Sequence, residues 1–227
     1  MTLSSVCARV WPTMSANVAR PLSDTRETRD ARDPPALRER VLQASRELLA
    51  EGGPAALSMR EVARRSGVTH QAPYHHFPDK ESIVAELVTQ GFEELATRMA
   101  RANDLAAPQG PGGKRAALLG AAEAYLGFAL ENPAVFRLMF RPELCQAARF
   151  PQAREAAERA RAELQRLVRT VHDGAYDEAL ASLHWAHVHG LACLALDGPL
   201  EHCVPTQAER RAHLQAATEH FVRMVLR

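Results

Sequence analysis

The sequence predicts an all-α fold, and three observations carry that prediction. Ala and Leu are abundant and the cations are nearly all arginine, with Lys80 and Lys114 the only lysines among 28 Lys and Arg residues; these are strong helix formers. Apolar residues recur at three- and four-residue spacing over most of the chain, while Val and Ile runs with period-two alternation are absent. Start and stop signals cut this pattern into helix-length pieces: Ser58 with Glu61 three residues on, Asn132-Pro133, Asp173-Gly174 and Gly198-Pro199.

Taken in order, residues 1–33 mix Ser, Thr, Arg and Asp without periodicity and read as a disordered extension. From Ala36 a helix carries Leu37, Val41, Leu42, Leu48 and Leu49 and is expected to stop at Gly52-Gly53. Ser58 caps a second, short helix ending at Ser66-Gly67, and Thr69 caps a third, very short one that has Pro73 in its first turn and ends at Pro78. A longer helix follows over 79–101, with Ile83, Val84, Leu87, Phe92 and Leu95 inward; Ala106 to Gly113 reads as a Pro/Gly loop. Further helices are expected near 114–131, 133–140, 151–172, 177–197 and 207–226, and no strand. The domain reading is an extension (1–33), a helix-turn-helix domain (34–80), a connecting helix (81–105) and a second helical domain (106–227).

A chain of 227 residues, 46% hydrophobic and 24% charged, can bury a sizeable core, which excludes a chain too polar to fold. Cys7, Cys145, Cys193 and Cys203 lie far apart with no CxxC pair, so they read as reduced, mostly buried thiols rather than a zinc knuckle or disulfide framework. No apolar run is read as reaching the roughly 18 residues of a membrane span, and no signal-peptide core is found, so a cytoplasmic location without a membrane partner is expected. Residues 34–80 carry seven basic and five acidic side chains, residues 81–227 carry 16 and 18. The excess points to an anionic partner near the N-terminal end.

The stretch GVTHQAPYHHFPDK (67–80) concentrates hydrogen-bonding rings behind a Ser-Gly-Val turn. In a helix-turn-helix unit the second helix enters the major groove of double-stranded DNA, where short polar side chains reach base edges and rings reach phosphates. Val68 would plug the core under the turn and Phe77 would anchor it from within. The residues LSMREVARRSGVTHQAPYHHFPDKESIV (57–84) resemble the DNA-binding region of TetR-type bacterial transcriptional regulators, a resemblance that extends over about 36–92. A second segment, HWAHVHGLACLALDG (184–198), is similar to the Trp/His-Gly segment of one C-terminal ligand-domain type in that family. Together they imply an N-terminal three-helix helix-turn-helix DNA-binding domain and a C-terminal helical ligand-binding and dimerisation domain. The implied function is a repressor released from a pseudo-palindromic operator by a small hydrophobic molecule.

Carried over residue by residue, the resemblance makes Thr69, His70, Gln71 and His75 candidate base or groove-edge contacts, and Tyr74, His76 and Lys80 candidate phosphate contacts. Gln71 suits adenine, because its amide pairs with both N6 and N7. Pro73 stands where Leu is commoner in the family. The alternative for the rings is that one or two of them pack or cap instead, His76 before His70. The resemblance also implies a homodimer through the last two helices, paired as a four-helix bundle. Leu180, Leu183, Ala186 and Leu194, and Leu214, Ala217, Phe221 and Val225, form apolar stripes compatible with it.

Ligand-binding candidates are Tyr125, Phe128, Phe136, Met139, Phe140, Trp185 and His189, a concentration of rings and soft side chains in a chain with 5% aromatics. The same residues would serve equally to fill a bundle. Gly190, inside a helix, suggests close helix approach or room for a ligand. No cofactor is expected. A metal-dependent enzyme built on His184, His187 and His189 is the reading from another class; His189 lies off the face the other two share and no HExxH pattern occurs, so neither an enzyme nor a metal site is expected. A DNA-binding helical regulator without a ligand is the other alternative.

Overall fold

The computed structural model describes residues 34–105, 111–141, 145 and 149–227; the extension over 1–33, with Cys7, lies outside them. Among the described residues there are eight α-helices and no strand, so the all-α expectation holds. They are α1 (Pro34–Ala56), α2 (Met59–Arg65), α3 (Lys80–Leu105), α4 (Pro111–Glu131), α5 (Pro133–Met139), α6 (Pro151–Val171), α7 (Glu178–Leu196) and α8 (Gln207–Val225). Two 310 turns, Ala72–His75 and Pro199–His202, complete the order.

Three local expectations need correction. Gly52-Gly53 does not end α1: the chain kinks at Gly53 (φ 64°, ψ −163°) and one more helical turn follows, opened by Pro54. A proline at the head of that turn forfeits no hydrogen bond that the kink had not already broken. The element after α2 is a 310 turn, and neither Thr69 nor Gln71 caps it with a side chain. Pro73 has no N–H to give, and Tyr74 and His76 instead donate to the carbonyls of Gln71 (3.2 Å) and Pro73 (3.0 Å), the tighter i→i−3 pattern. Finally, α7 is long and apolar enough to cross a bilayer by length and composition, with a mean hydropathy of 1.3, and 22% of that window is buried within the fold.

Helix α3 is the spine. It packs most extensively on α6 and then on α4, and also meets α1 and α5. One apolar core runs without a break from Leu37, Val41 and Leu42 of α1 through Phe77 to Val88, Leu95 and Met99 of α3 and on to Phe128 and Leu138. At the far end Leu118, Leu167, Val171 and Val222 close a second cluster between α4, α6 and α8. Gly91 lets α5 approach α3: a Cβ there would lie 2.7 Å from Met139 Sδ and 2.8 Å from Val135 Cγ1. Gly91→Ala gains helix propensity of about 1 kcal/mol, but overpacking costs about 1–3 kcal/mol and Val135, being β-branched, yields poorly. A net loss of about 1 kcal/mol is expected in urea unfolding. Of the cysteines, Cys145 and Cys193 are half-buried, but Cys203 is exposed, contrary to the expectation of buried thiols.

Candidate functional site

The sequence builds two separated sites, an exposed turn at one end and a cavity in the helical body. The turn is held from behind. Ser58 Oγ accepts the Glu61 amide at the head of α2, and α2 ends in a Schellman arrangement: Gly67 N–H donates to Arg64 O (3.2 Å) and Val68 N–H to Ala63 O (3.1 Å). Gly67 takes φ +68°, where a β-carbon would be strained. Arg40 donates to the Ser66 carbonyl, and Arg65 forms a bidentate pair with Glu51 (2.7 and 2.6 Å), so α1 and α2 are locked around the turn. Phe77 is 4% exposed, with the Arg38 guanidinium 5.6 Å from its ring centroid, and Pro73 is buried beside it. Val68 is half-buried against the same core.

What remains outward is Thr69, His70, Gln71, Tyr74 and His75, all exposed, with the His70 and Tyr74 rings 5.8 Å apart. His76 is half-buried. Lys80 is half-buried as well, and its Nζ donates to the Pro54 carbonyl (2.7 Å), tying the start of α3 to the kinked end of α1. At that same start Asp79 accepts the Ser82 amide (2.8 Å), and Arg149, just ahead of α6, pairs with both Asp79 and Glu81. Burial pushes the Asp79 carboxyl up, but the Ser82 amide and the Arg149 guanidinium hold it below the ordinary range.

The cavity, about 400 Å³, lies among α3, α4, α6, α7 and α8. Of the sequence candidates, Tyr125, Phe140 and Trp185 line it. His189 stands one layer behind: Trp185 Nε1 donates to Tyr125 Oη (3.2 Å), and Tyr125 Oη lies 2.8 Å from His189 Nδ1. Phe136 packs against both, edge-on to Tyr125 (5.8 Å between centroids) and tilted to His189 (5.5 Å). Phe128 and Met139 are core residues instead, Phe128 fully buried with Arg98 5.7 Å over its ring and Met139 packed at Gly91. Burial pushes the Tyr125 phenol up and the His189 imidazole down, so both stay uncharged near neutrality.

Sequence reasoning missed most of the wall. Phe92, Leu95 and Met99 supply the α3 side, Leu164 and Leu167 the α6 side, and Thr218, Phe221 and Val222 the α8 side. The signal was present as three- and four-residue spacing, but the same spacing marks ordinary core. His184 and His187 also line the cavity, and both pack against Phe221: His187 stacks on it (4.0 Å between centroids, 8° between planes) and His184 meets it edge-on (5.5 Å, 90°). His184 Nε2 pairs with His172 Nε2 at 3.0 Å. Among the described residues no three His, Cys, Asp or Glu side chains are grouped to hold a metal. Gly190 faces open space, because it sits with Leu183, Ala186 and Leu194 on the side of α7 turned away from the cavity.

Residues 41–87 match the family described as bacterial regulatory proteins, tetR family, and residues 118–219 match the tetracyclin repressor-like C-terminal domain. The HTH-type transcriptional repressor Rv3405c of Mycobacterium tuberculosis is 40% identical over 81 residues, 34% of this chain and 41% of that protein. UidR of Escherichia coli, an HTH-type transcriptional regulator, is 31% identical over 61 residues, 27% of this chain and 31% of its own length. The matched stretch thus takes in less than half of these curated relatives. Among solved structures, a protein of unknown function from Rhodococcus sp. RHA1 superposes with a TM-score of 0.66 at 28% identity, over 84% of this chain and 96% of that one. The TetR family regulator PfmR of Thermus thermophilus shares the fold, with a TM-score of 0.59 at 23% identity over 79% and 97% of the two chains.

Proposed function

The chain belongs to the tetR family of bacterial regulatory proteins, and on that premise we propose that it is a homodimeric, cytoplasmic repressor that leaves a pseudo-palindromic DNA operator when a small hydrophobic molecule enters the cavity. The observation that carries this reading is the pairing of an exposed row of hydrogen-bonding residues, Thr69 to His75, with a largely apolar cavity whose walls include the helix on which that row is mounted. Helix α3 begins at the recognition turn and supplies Phe92, Leu95 and Met99 to the cavity. Helix α6 also lines the cavity, and Arg149 just before it grips the first turn of α3. A ligand that moved either helix would move the turn, which is the coupling route through the helix over 79–101.

The dimer reading rests on the outward surface. Leu183 is 55% exposed, Leu194 42% and Met224 63%, with Ala186, Ala212 and Ala216 exposed alongside. Small residues allow close approach of a second copy of α7 and α8. The stripe Leu214, Ala217, Phe221 and Val225 offers less outward surface, with Leu214 buried and the others half-buried, Phe221 on the cavity wall and Val225 against the core.

DNA footprinting tests the core of this reading: protection of two half-sites related by a dyad is expected, and a single asymmetric half-site bound by a monomer overturns it. Within the turn, Gln71→Ala should lose about 1–3 kcal/mol at the base it reads and so relax sequence preference. Lys80→Ala should weaken all sequences alike and lower the slope of log affinity against log salt by about one. Fluorescence anisotropy over a salt series, with operator and scrambled duplexes, separates the two; equal loss of preference in both variants contradicts these roles. A screen in which no metabolite or drug releases the protein from its operator would leave a regulator without a ligand.

A further inference from the structure

We propose that the ligand is an uncharged, mainly apolar molecule with one hydrogen-bonding oxygen, and that this oxygen docks on His187 Nε2. The inference rests on the reading of the cavity as a ligand site and goes beyond it by naming the chemistry the site selects. Charge comes first. Arg161 and Glu178 are the charged side chains on the wall; they pair with each other at 2.5 Å, and the Tyr176 hydroxyl adds a 2.6 Å hydrogen bond to the same carboxylate. Both are about half exposed, so the pair sits at the solvent edge and offers no free ion to the interior. An ionised ligand would shed its hydration shell against a wall of Leu, Ala, Phe and Met side chains with no counter-charge to meet it.

Polar atoms come second. The Tyr125 hydroxyl is engaged with Trp185 and His189, Thr218 Oγ1 donates to the Leu214 carbonyl (2.9 Å), and His184 Nε2 is held by His172. Among the described side chains, His187 Nε2 is the buried polar atom with no protein hydrogen-bond partner. A group left so costs about 1–3 kcal/mol, and such atoms are rare enough in native structures to require an explanation. The Phe221 ring stacked against His187 holds the plane of the imidazole. Burial pushes the His187 imidazole down, keeping it neutral and therefore matched to a hydroxyl, carbonyl or amide oxygen rather than to an ion.

The test uses n-decanol, decanoate and decylammonium at pH 8, below their micelle-forming concentrations, each displacing the neutral fluorophore N-phenylnaphthylamine from the full-length protein. Decanol should bind at least about tenfold more tightly than either ion. His187→Phe keeps the stack on Phe221 but loses the nitrogen, and should weaken decanol about tenfold, the worth of one hydrogen bond that otherwise leaves its partner unmet. His187→Gln, which keeps a hydrogen-bonding amide, should retain most of the affinity, and circular dichroism reports whether both variants are folded. Preference for decanoate or decylammonium in the parent protein overturns the inference, and so does unchanged decanol affinity in His187→Phe. If the fluorophore binds and only the charge order is wrong, the ligand-site reading survives alone; if neither fluorophore nor any probe binds, that reading fails and takes this one with it.

Discussion

Leu183→Glu should convert the protein to monomers and cut operator affinity at least about hundredfold. Leu183 is 55% exposed and is not among the residues lining the cavity, so the substitution has little to disturb within one chain. Across the proposed two-fold axis the situation reverses. A leucine buried at an interface contributes about 1.5–3 kcal/mol, a dyad counts it twice, and a glutamate on each side places two like charges in an apolar seam. Loss of the dimer then removes the linkage between two recognition turns, whose joint engagement of two half-sites is worth about 10²–10⁴ in affinity. Sedimentation equilibrium gives the first part and anisotropy with the palindromic duplex the second. A Leu183→Glu protein that remains dimeric with unchanged affinity places the partner surface elsewhere.

How the chain could be read depended on how local each determinant is. Several helix boundaries were legible because they are written in neighbouring residues: Ser58 accepts the Glu61 amide at the head of α2, Asn132-Pro133 falls between α4 and α5, and Gly198-Pro199 follows the end of α7. The recognition turn was legible for the same reason, since Gly67, Val68, Pro73 and Phe77 are near neighbours in the chain and each has one structural use there. What the sequence could not show was which of two equal patterns faces which void. The Leu214 stripe and the Leu183 stripe have the same period, yet one is folded against its own core and the other looks out. The aromatic candidates divided the same way: Phe140 and Phe136 lie on adjacent turns, but only Phe140 reaches the cavity. A period names a face without naming its partner, and the partners here come from helices far apart in the chain. Lys80 was ambiguous in another sense, because its bond to the Pro54 carbonyl depends on a kink at Gly53 that the Gly-Gly pair announced only as an ending.

The protein should lose stability on mild acidification, and His184 should be the main source. His184 is 4% exposed, and burial, with smaller contributions from His172 and His187 nearby, pushes its imidazole down from 6.5 to about 4. The unfolded chain takes up a proton on this ring near pH 6.5 while the folded chain resists until about pH 4, so the unfolded state binds more protons throughout that window. Stability from this group is therefore complete above pH 6.5, falls as the pH drops from there to about 4, and levels off below. Between about pH 7 and pH 5 the loss is about 2 kcal/mol, measured before most carboxylates titrate. His187 and His189, also pushed down by burial, act in the same direction and steepen the slope without changing its sign. The comparison that isolates His184 is His184→Gln, which can still hydrogen-bond His172 but cannot take a proton. Urea unfolding at pH 7, 6 and 5, at one fixed protein concentration because the stability of the proposed dimer depends on it, should give a clearly shallower decline for the variant. Equal slopes in the two proteins would exclude His184 as the titrating group. A parent protein that gained stability on acidification would mean that the ring carries its proton in the folded state, where the packing of Phe221 and His172 against it leaves no room for the hydration a cation requires.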